Sequence, residues 1–152
     1  MKRLSLAALI LLTLFSCSSN KSANISGKIE GATDGSLVLT LLEVSSQKIV
    51  DTIKYNSDGE FSAKVNLLNS TPNFYYLYYN NNRVGSMVLK AGDKIEILSD
   101  TLGREVQLSG SQESEQLLSL ERSLNARQKS FDSLTTLMAQ ANEREDSDGA
   151  NE

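Results

Sequence analysis

The hydrophobic pattern of this chain changes period once, and that change fixes the class of fold open to it. From Asn24 to Ser109, short runs with apolar residues at alternate positions are separated by turn residues; from Gln112 to about Ala141, apolar residues recur at every third or fourth position. A period of two sends alternate side chains to opposite faces of a strand, whereas a period near 3.6 draws one stripe along a helix. The expected fold is therefore mainly β: an antiparallel β-sandwich of about seven to eight strands over residues 24–109, followed by one long C-terminal α-helix over residues 111–141.

Within the first region, Ile25 and Ile29 share a face of the first strand, and Gly31 with Asp34-Gly35 marks a turn. Leu37, Val38, Leu39, Leu41 and Leu42 form a nearly continuous apolar run, as expected of a central strand covered on both faces. A third strand over about 48–55 leads into Asn56-Ser57-Asp58-Gly59, residue types that tolerate the positive φ of a tight hairpin. Phe61, Ala63 and Val65 alternate on the fourth strand. The strongest β signal, Asn73 to Tyr79, follows the single proline, Pro72. Strands over 83–89, 94–98 and 105–109 complete the set, with Ile95 and Ile97 pointing inward.

The helical region contains no proline or glycine between Gln112 and Ala141. Ser111 is placed to cap it, and Glu113 and Glu115 suit its positive end. Thirty helical residues extend about 45 Å, while a β domain of about 90 residues has a radius of gyration near 12 Å. The helix should therefore outrun the sheet. Leu117, Leu120 and Leu124 are expected to cover the flank of their own domain, and Phe131, Leu134 and Met138 to serve a partner protein or a second copy of the chain. Arg127 occupies the seam position between Leu124 and Phe131, which weakens a self-associating coiled coil. Residues 142–152 carry five acids and no large apolar residue, and are expected to be a disordered acidic tail.

Ahead of the strands, Lys2 and Arg3 precede a mostly apolar segment from Leu4 to Phe15, then Ser16 and the only cysteine, Cys17. Charged, apolar and small-residue regions in that order make an export signal over residues 1–16. The apolar segment is shorter than the roughly 20 residues that span a bilayer. Leu14-Phe15-Ser16-Cys17 resembles the lipobox of bacterial lipoproteins, in which the cysteine is lipidated and becomes the mature N-terminus; Phe15 is bulkier than the most usual residue there. Residues 17–23 are then a lipid-anchored tether, and membrane attachment runs through Cys17.

Composition narrows the function. The formal charge is −4, and no Lys/Arg cluster offers a phosphate-binding face, so a nucleic-acid partner is not expected. The chain has no histidine, which removes the commonest general base and the commonest metal ligand together. A lipidated Cys17 leaves no free thiol for redox chemistry. No serine lies in a Gly-x-Ser-x-Gly setting. Asn56, Asp58 and Glu60 alternate as oxygen ligands might in a calcium loop, yet they make only a fragment of one and read better as turn chemistry; Asp93 after Gly92 reads the same way. No catalytic residue, metal or cofactor is expected.

Four segments occur in a telling order: Ile25-Ser26-Gly27-Lys28-Ile29, Asp51-Thr52-Ile53 followed by Asp58-Gly59-Glu60-Phe61, Val88 through Ile95, and Leu108-Ser109-Gly110-Ser111. Together they resemble the N-terminal β domain, of unassigned function, that precedes a thioredoxin-like domain in Bacteroidota outer-membrane lipoproteins. The resemblance spans residues 23–140. It implies a cell-envelope, outer-membrane lipoprotein facing the periplasm, with a β-sandwich accessory module. In that family the redox work belongs to a following domain with a Cys-x-x-Cys site, and no such motif stands in this sequence.

The leading expectation is thus a non-enzymatic, lipid-anchored binding or accessory module. A subunit or truncated form of a thiol-disulfide oxidoreductase is one alternative, and a glycan-binding lipoprotein is another. For the latter, Tyr75, Tyr76, Tyr78 and Tyr79 fall in five residues, with Tyr75 and Tyr79 on one strand face and Tyr76 and Tyr78 on the other. Core filling explains the inward pair. Tyr76 and Tyr78 beside Arg83 form the candidate ligand contact, and Phe131, Leu134 and Met138 the candidate partner contact.

Overall fold

The computed structural model describes residues 21–33 and 35–149, with side chains described through Glu143. The signal segment 1–16, the Cys17 lipid site, most of the 17–23 tether, Asp34 and the last three residues of the tail lie outside the described residues.

Among the described residues, eight strands form two four-stranded sheets: β1 (Ser22–Glu30), β2 (Leu37–Leu42), β3 (Gln47–Ile53), β4 (Glu60–Asn66), β5 (Asn73–Tyr79), β6 (Asn82–Leu89), β7 (Lys94–Asp100) and β8 (Gln107–Ser109). One sheet has the order β4-β1-β7-β8 and the other β3-β2-β5-β6. All pairings are antiparallel except β1 with β7, which is parallel, with Ile25 opposite Ile95 and Ile97 opposite Gly27. This is the mainly β sandwich that the alternation implies, with one parallel pair added. Gly27 makes that pair close: a Cβ there would stand 1.8 Å from the Ile97 carbonyl oxygen, so no larger residue fits.

Residues of period two fill the space between the sheets. Ile25, Ile29, Val65, Ile95 and Ile97 come from one sheet, and Leu37, Leu39, Tyr75, Leu77 and Met87 from the other, all essentially inaccessible to solvent. β2 lies between β3 and β5, as its apolar run suggests, but only its inward face is fully covered; Val38 is half-buried and Leu42 exposed. Side chains of Thr52 and Tyr78, opposite Val38 on the flanking strands, are the neighbours on that outer face.

The hairpin before β4 is built by turn chemistry. The Asn56 side-chain oxygen accepts from the Asp58 and Glu60 backbone N–H groups at 3.0 and 2.9 Å, and Gly59 takes φ 78°. Asp93 plays the equivalent role before β7, accepting from the Lys90 N–H at 3.0 Å.

One helix, α1 (Gln112–Gly149), follows. Ser111 caps it: its carbonyl accepts the first helical bond from Glu115 N–H at 3.0 Å, and its hydroxyl faces Ser114 N–H at 3.4 Å. The helix runs past the expected end at Ala141, so residues 142–149, expected as disordered tail, are helical. Nothing in 142–148 breaks a helix, and the first glycine after Gly110 is Gly149. Thirty-eight residues give a rod about 57 Å long.

Candidate functional site

α1 is joined to the sandwich by its first three turns, which lie along β6 and β8. Ser114, with no solvent exposure, is the centre of the joint: its hydroxyl accepts from the Val88 N–H at 3.0 Å and donates to the Val88 carbonyl at 2.9 Å. β6 is an outer strand of its sheet, so these are groups that no neighbouring strand takes up. Leu118, 8% exposed, packs one turn further on. Glu113 and Lys90 form an ion pair at the helix start. The hydrogen bond from Lys90, more than anything else, holds the Glu113 carboxyl below its ordinary pKa, and the same bond raises that of Lys90.

Further along, the two groups of sequence-predicted residues separate. Arg83 reaches Glu121 of α1 at 3.7 Å and lies over the Tyr76 ring, 4.8 Å from its centroid. Tyr76 and Tyr78 meet edge to face with centroids 6.2 Å apart, and the Tyr78 hydroxyl donates to Gln47 at 3.2 Å. The structure therefore brings Tyr76, Tyr78 and Arg83 together on the outer face of one sheet, while Tyr75 and Tyr79 are buried on the inner face. Burial pushes the Tyr75 hydroxyl above its ordinary pKa.

A cleft of about 100 Å³ opens between α1 and the sheet beside Arg83, lined by Arg83, Arg104, Glu121, Arg122 and Asn125 among others. Sequence reasoning missed Arg104, Glu121 and Arg122, because the β7–β8 connection supplies the first and α1 the other two, and no local spacing joins them to Arg83 on β6. Each guanidinium already has an acceptor. Arg83 has Glu121, Arg104 has Asp100 at 2.8 Å, and Arg122 donates to the Val106 carbonyl. The bond from Arg104 is the main cause holding the Asp100 carboxyl below its ordinary value. The Arg83 and Arg122 contacts tie the helix to the sandwich, the Arg104 contact closes the β7–β8 connection on itself, and Arg83 also covers a face of Tyr76.

The apolar stripe of α1 lies elsewhere. Leu120, Leu124, Phe131, Leu134 and Met138 are all more than half exposed, from 55% at Leu124 to 68% at Met138. The expectation that Leu120 and Leu124 cover the sandwich is corrected. The face that docks is Ser114, Leu118 and Glu121, about 120° round the helix from Leu120 and Leu124 at 3.6 residues per turn, and it is largely polar because it closes hydrogen bonds to an outer strand. Leu117, half-buried, is the one stripe residue at the joint. Phe131 stands ten residues past Glu121, about 15 Å along the rod, so Phe131, Leu134 and Met138 share no site with Tyr76 and Arg83.

Among the described residues, no helix is long and apolar enough to cross a membrane. No curated protein matches the chain. Residues 23–117 match a family described as Domain of unknown function (DUF4369), in agreement with the resemblance to a β domain of unassigned function. That match covers more than half of the chain, from the second residue of β1 to the sixth of α1, so the chain belongs to the DUF4369 family.

Proposed function

We propose that this protein is a lipid-anchored envelope lipoprotein without catalytic activity, whose sandwich serves as a base and whose helix serves as a docking arm. The anchor is Cys17, at the end of the apolar leader, and the expected location is the outer membrane, facing the periplasm. One observation carries the docking role: an apolar stripe from Leu120 to Met138 is solvent-exposed along the arm while the polar face of the same helix takes the sandwich. A helix normally spends its apolar face on its own core, and exposed contiguous apolar surface marks an interaction site.

Two measurements test this. The wild type should incorporate labelled palmitate and the Cys17→Ser variant should not; equal labelling would remove the anchor. Replacing Phe131 and Leu134 together by serine should leave the unfolding free energy within about 0.5 kcal/mol, as for surface sites, while abolishing association of the purified protein with its partner. A loss of several kcal/mol would mean that the stripe is part of the core.

A further inference from the structure

No stretch of this acidic chain carries a basic cluster, yet the fold assembles one. Arg83 comes from β6, Arg104 from the β7–β8 connection and Arg122 from α1, and all three line the cleft of about 100 Å³ between helix and sheet. We propose that this cleft binds a phosphate group, either the free ion or the end of a phosphate ester. The site stands apart from the apolar stripe and does not depend on it.

The internal contacts leave most of the donors free. A guanidinium carries five N–H groups. Arg104 spends its Nε–H on Asp100, Arg122 spends one Nη on the Val106 carbonyl, and Arg83 stands 3.7 Å from Glu121, beyond hydrogen-bond length. A second observation points the same way. Ser86 lines the cleft and is only 3% exposed, yet its hydroxyl has no hydrogen-bond partner among the described residues. The cleft is the open space left to it. The Ser86 backbone N–H also turns away from β5, because in an antiparallel ladder it lies on the same side of β6 as the Val88 N–H that Ser114 receives. Charge fixes the sign of the ligand. Asp100 faces Arg104 and Glu121 faces Arg83, whereas Arg122 has no carboxylate partner among the described residues, so the cleft keeps a net positive charge in a chain of formal charge −4. Shape selects among anions. The donors come from the strand, the connection and the helix, which bound the cleft on different sides. That arrangement suits a tetrahedral group with several terminal oxygens, whereas a planar carboxylate is matched by the fork of one arginine. The volume is well below the roughly 300 Å³ or more of pockets that enclose a whole small molecule, so a single phosphate enters and the rest of an ester stays in solvent.

The test is an NMR titration of the isotope-labelled full-length protein in a detergent without phosphate, at constant ionic strength set by sodium chloride. Inorganic phosphate and glycerol phosphate are added in separate experiments. The amides of Ser86, Gly85 and Gly103, which line the cleft, should shift and saturate with at least one of them. Stronger binding of the inorganic ion assigns free phosphate; equal or stronger binding of the ester assigns a phosphorylated molecule. Arg122→Gln should weaken binding at least about tenfold, the worth of a hydrogen bond to a charged group. Arg104→Gln should do the same without loosening the helix, because that side chain is 72% exposed and bonds only to Asp100. Ser86→Ala removes a hydroxyl that no contact in the fold uses, and should weaken binding by about threefold or more with the remaining amide spectrum unchanged. Lys64→Gln, an exposed cation on the other sheet, should leave the affinity as it is. Shifts that rise linearly with both compounds would overturn the site. So would an affinity unchanged in both Arg104→Gln and Ser86→Ala, or a loss in Lys64→Gln as large as that in Arg122→Gln, which would mark a response to overall charge alone.

Discussion

Replacing Ser114 by alanine deletes a single hydroxyl, yet it should loosen the joint between helix and sandwich. That oxygen accepts from the Val88 N–H at 3.0 Å and donates to the Val88 carbonyl at 2.9 Å, and its residue has no solvent exposure. Alanine leaves both backbone groups beneath the helix with nothing to bond to. A buried polar group stripped of its partner costs about 1–3 kcal/mol. Val88 itself is half-buried, so water reaches part of the loss, and the two groups together place the cost at about 2–4 kcal/mol. Urea unfolding should show a lower midpoint at unchanged slope. Amide exchange at Val88 should accelerate more than at Leu77, in the centre of its sheet. Ser119→Ala, on the exposed side of the same helix, is the control and should be neutral or stabilising by a few tenths of a kcal/mol. A Ser114→Ala cost below about 0.5 kcal/mol, the range of ordinary surface changes, would refute the view that polar closure of the β6 edge holds the helix.

In the core, Leu39→Ala should cost about 2–5 kcal/mol and Phe61→Ala about 3–5 kcal/mol in the same unfolding experiment, because both side chains are buried between the sheets. At the helix start, Glu113 should titrate below an ordinary glutamate by carbon-detected NMR, and Lys90→Gln should return it toward the ordinary value. Its folded pKa is depressed, so its contribution is complete above the ordinary carboxylate value and disappears as pH falls through the depressed one; that of Lys90, whose pKa is raised, is complete below the ordinary lysine value and disappears as pH rises through the raised one. The bond is thus constant across neutral pH, and a Glu113 titration that ignores Lys90→Gln would show that they are not paired.

The sandwich was legible because burial follows local alternation. Ile25 with Ile29, Tyr75 with Tyr79, and Ile95 with Ile97 all face inward as a period of two requires. The parallel pairing of β1 with β7 was not legible, since alternation specifies a strand's buried face but not its neighbour or direction. The joint with the helix failed for a different reason. Sequence reading assigns the apolar stripe to the domain, whereas the domain takes Ser114 and Glu121, whose value lies in Val88 and Arg83 and cannot be seen until β6 is in place. Gln112–Ala141 reads as helix correctly; the acidic composition beyond it suggests a tail, yet residues 142–148 hold no helix-breaking residue and the helix continues to Gly149.

Ser22 and the start of α1 lie at one end of the sandwich: the Gly92 N–H bonds the Ser22 carbonyl at 2.9 Å, the Asn24 N–H bonds the Asp93 carbonyl at 2.8 Å, and Lys90 of the same turn pairs with Glu113. From there the helix passes Val88 first and Arg83 later, heading away from the end at which the chain enters. With Cys17 anchored in the periplasm-facing side of the outer membrane, as proposed, an arm standing upright would carry Met138 about 36 Å beyond Ser114, out into the periplasm.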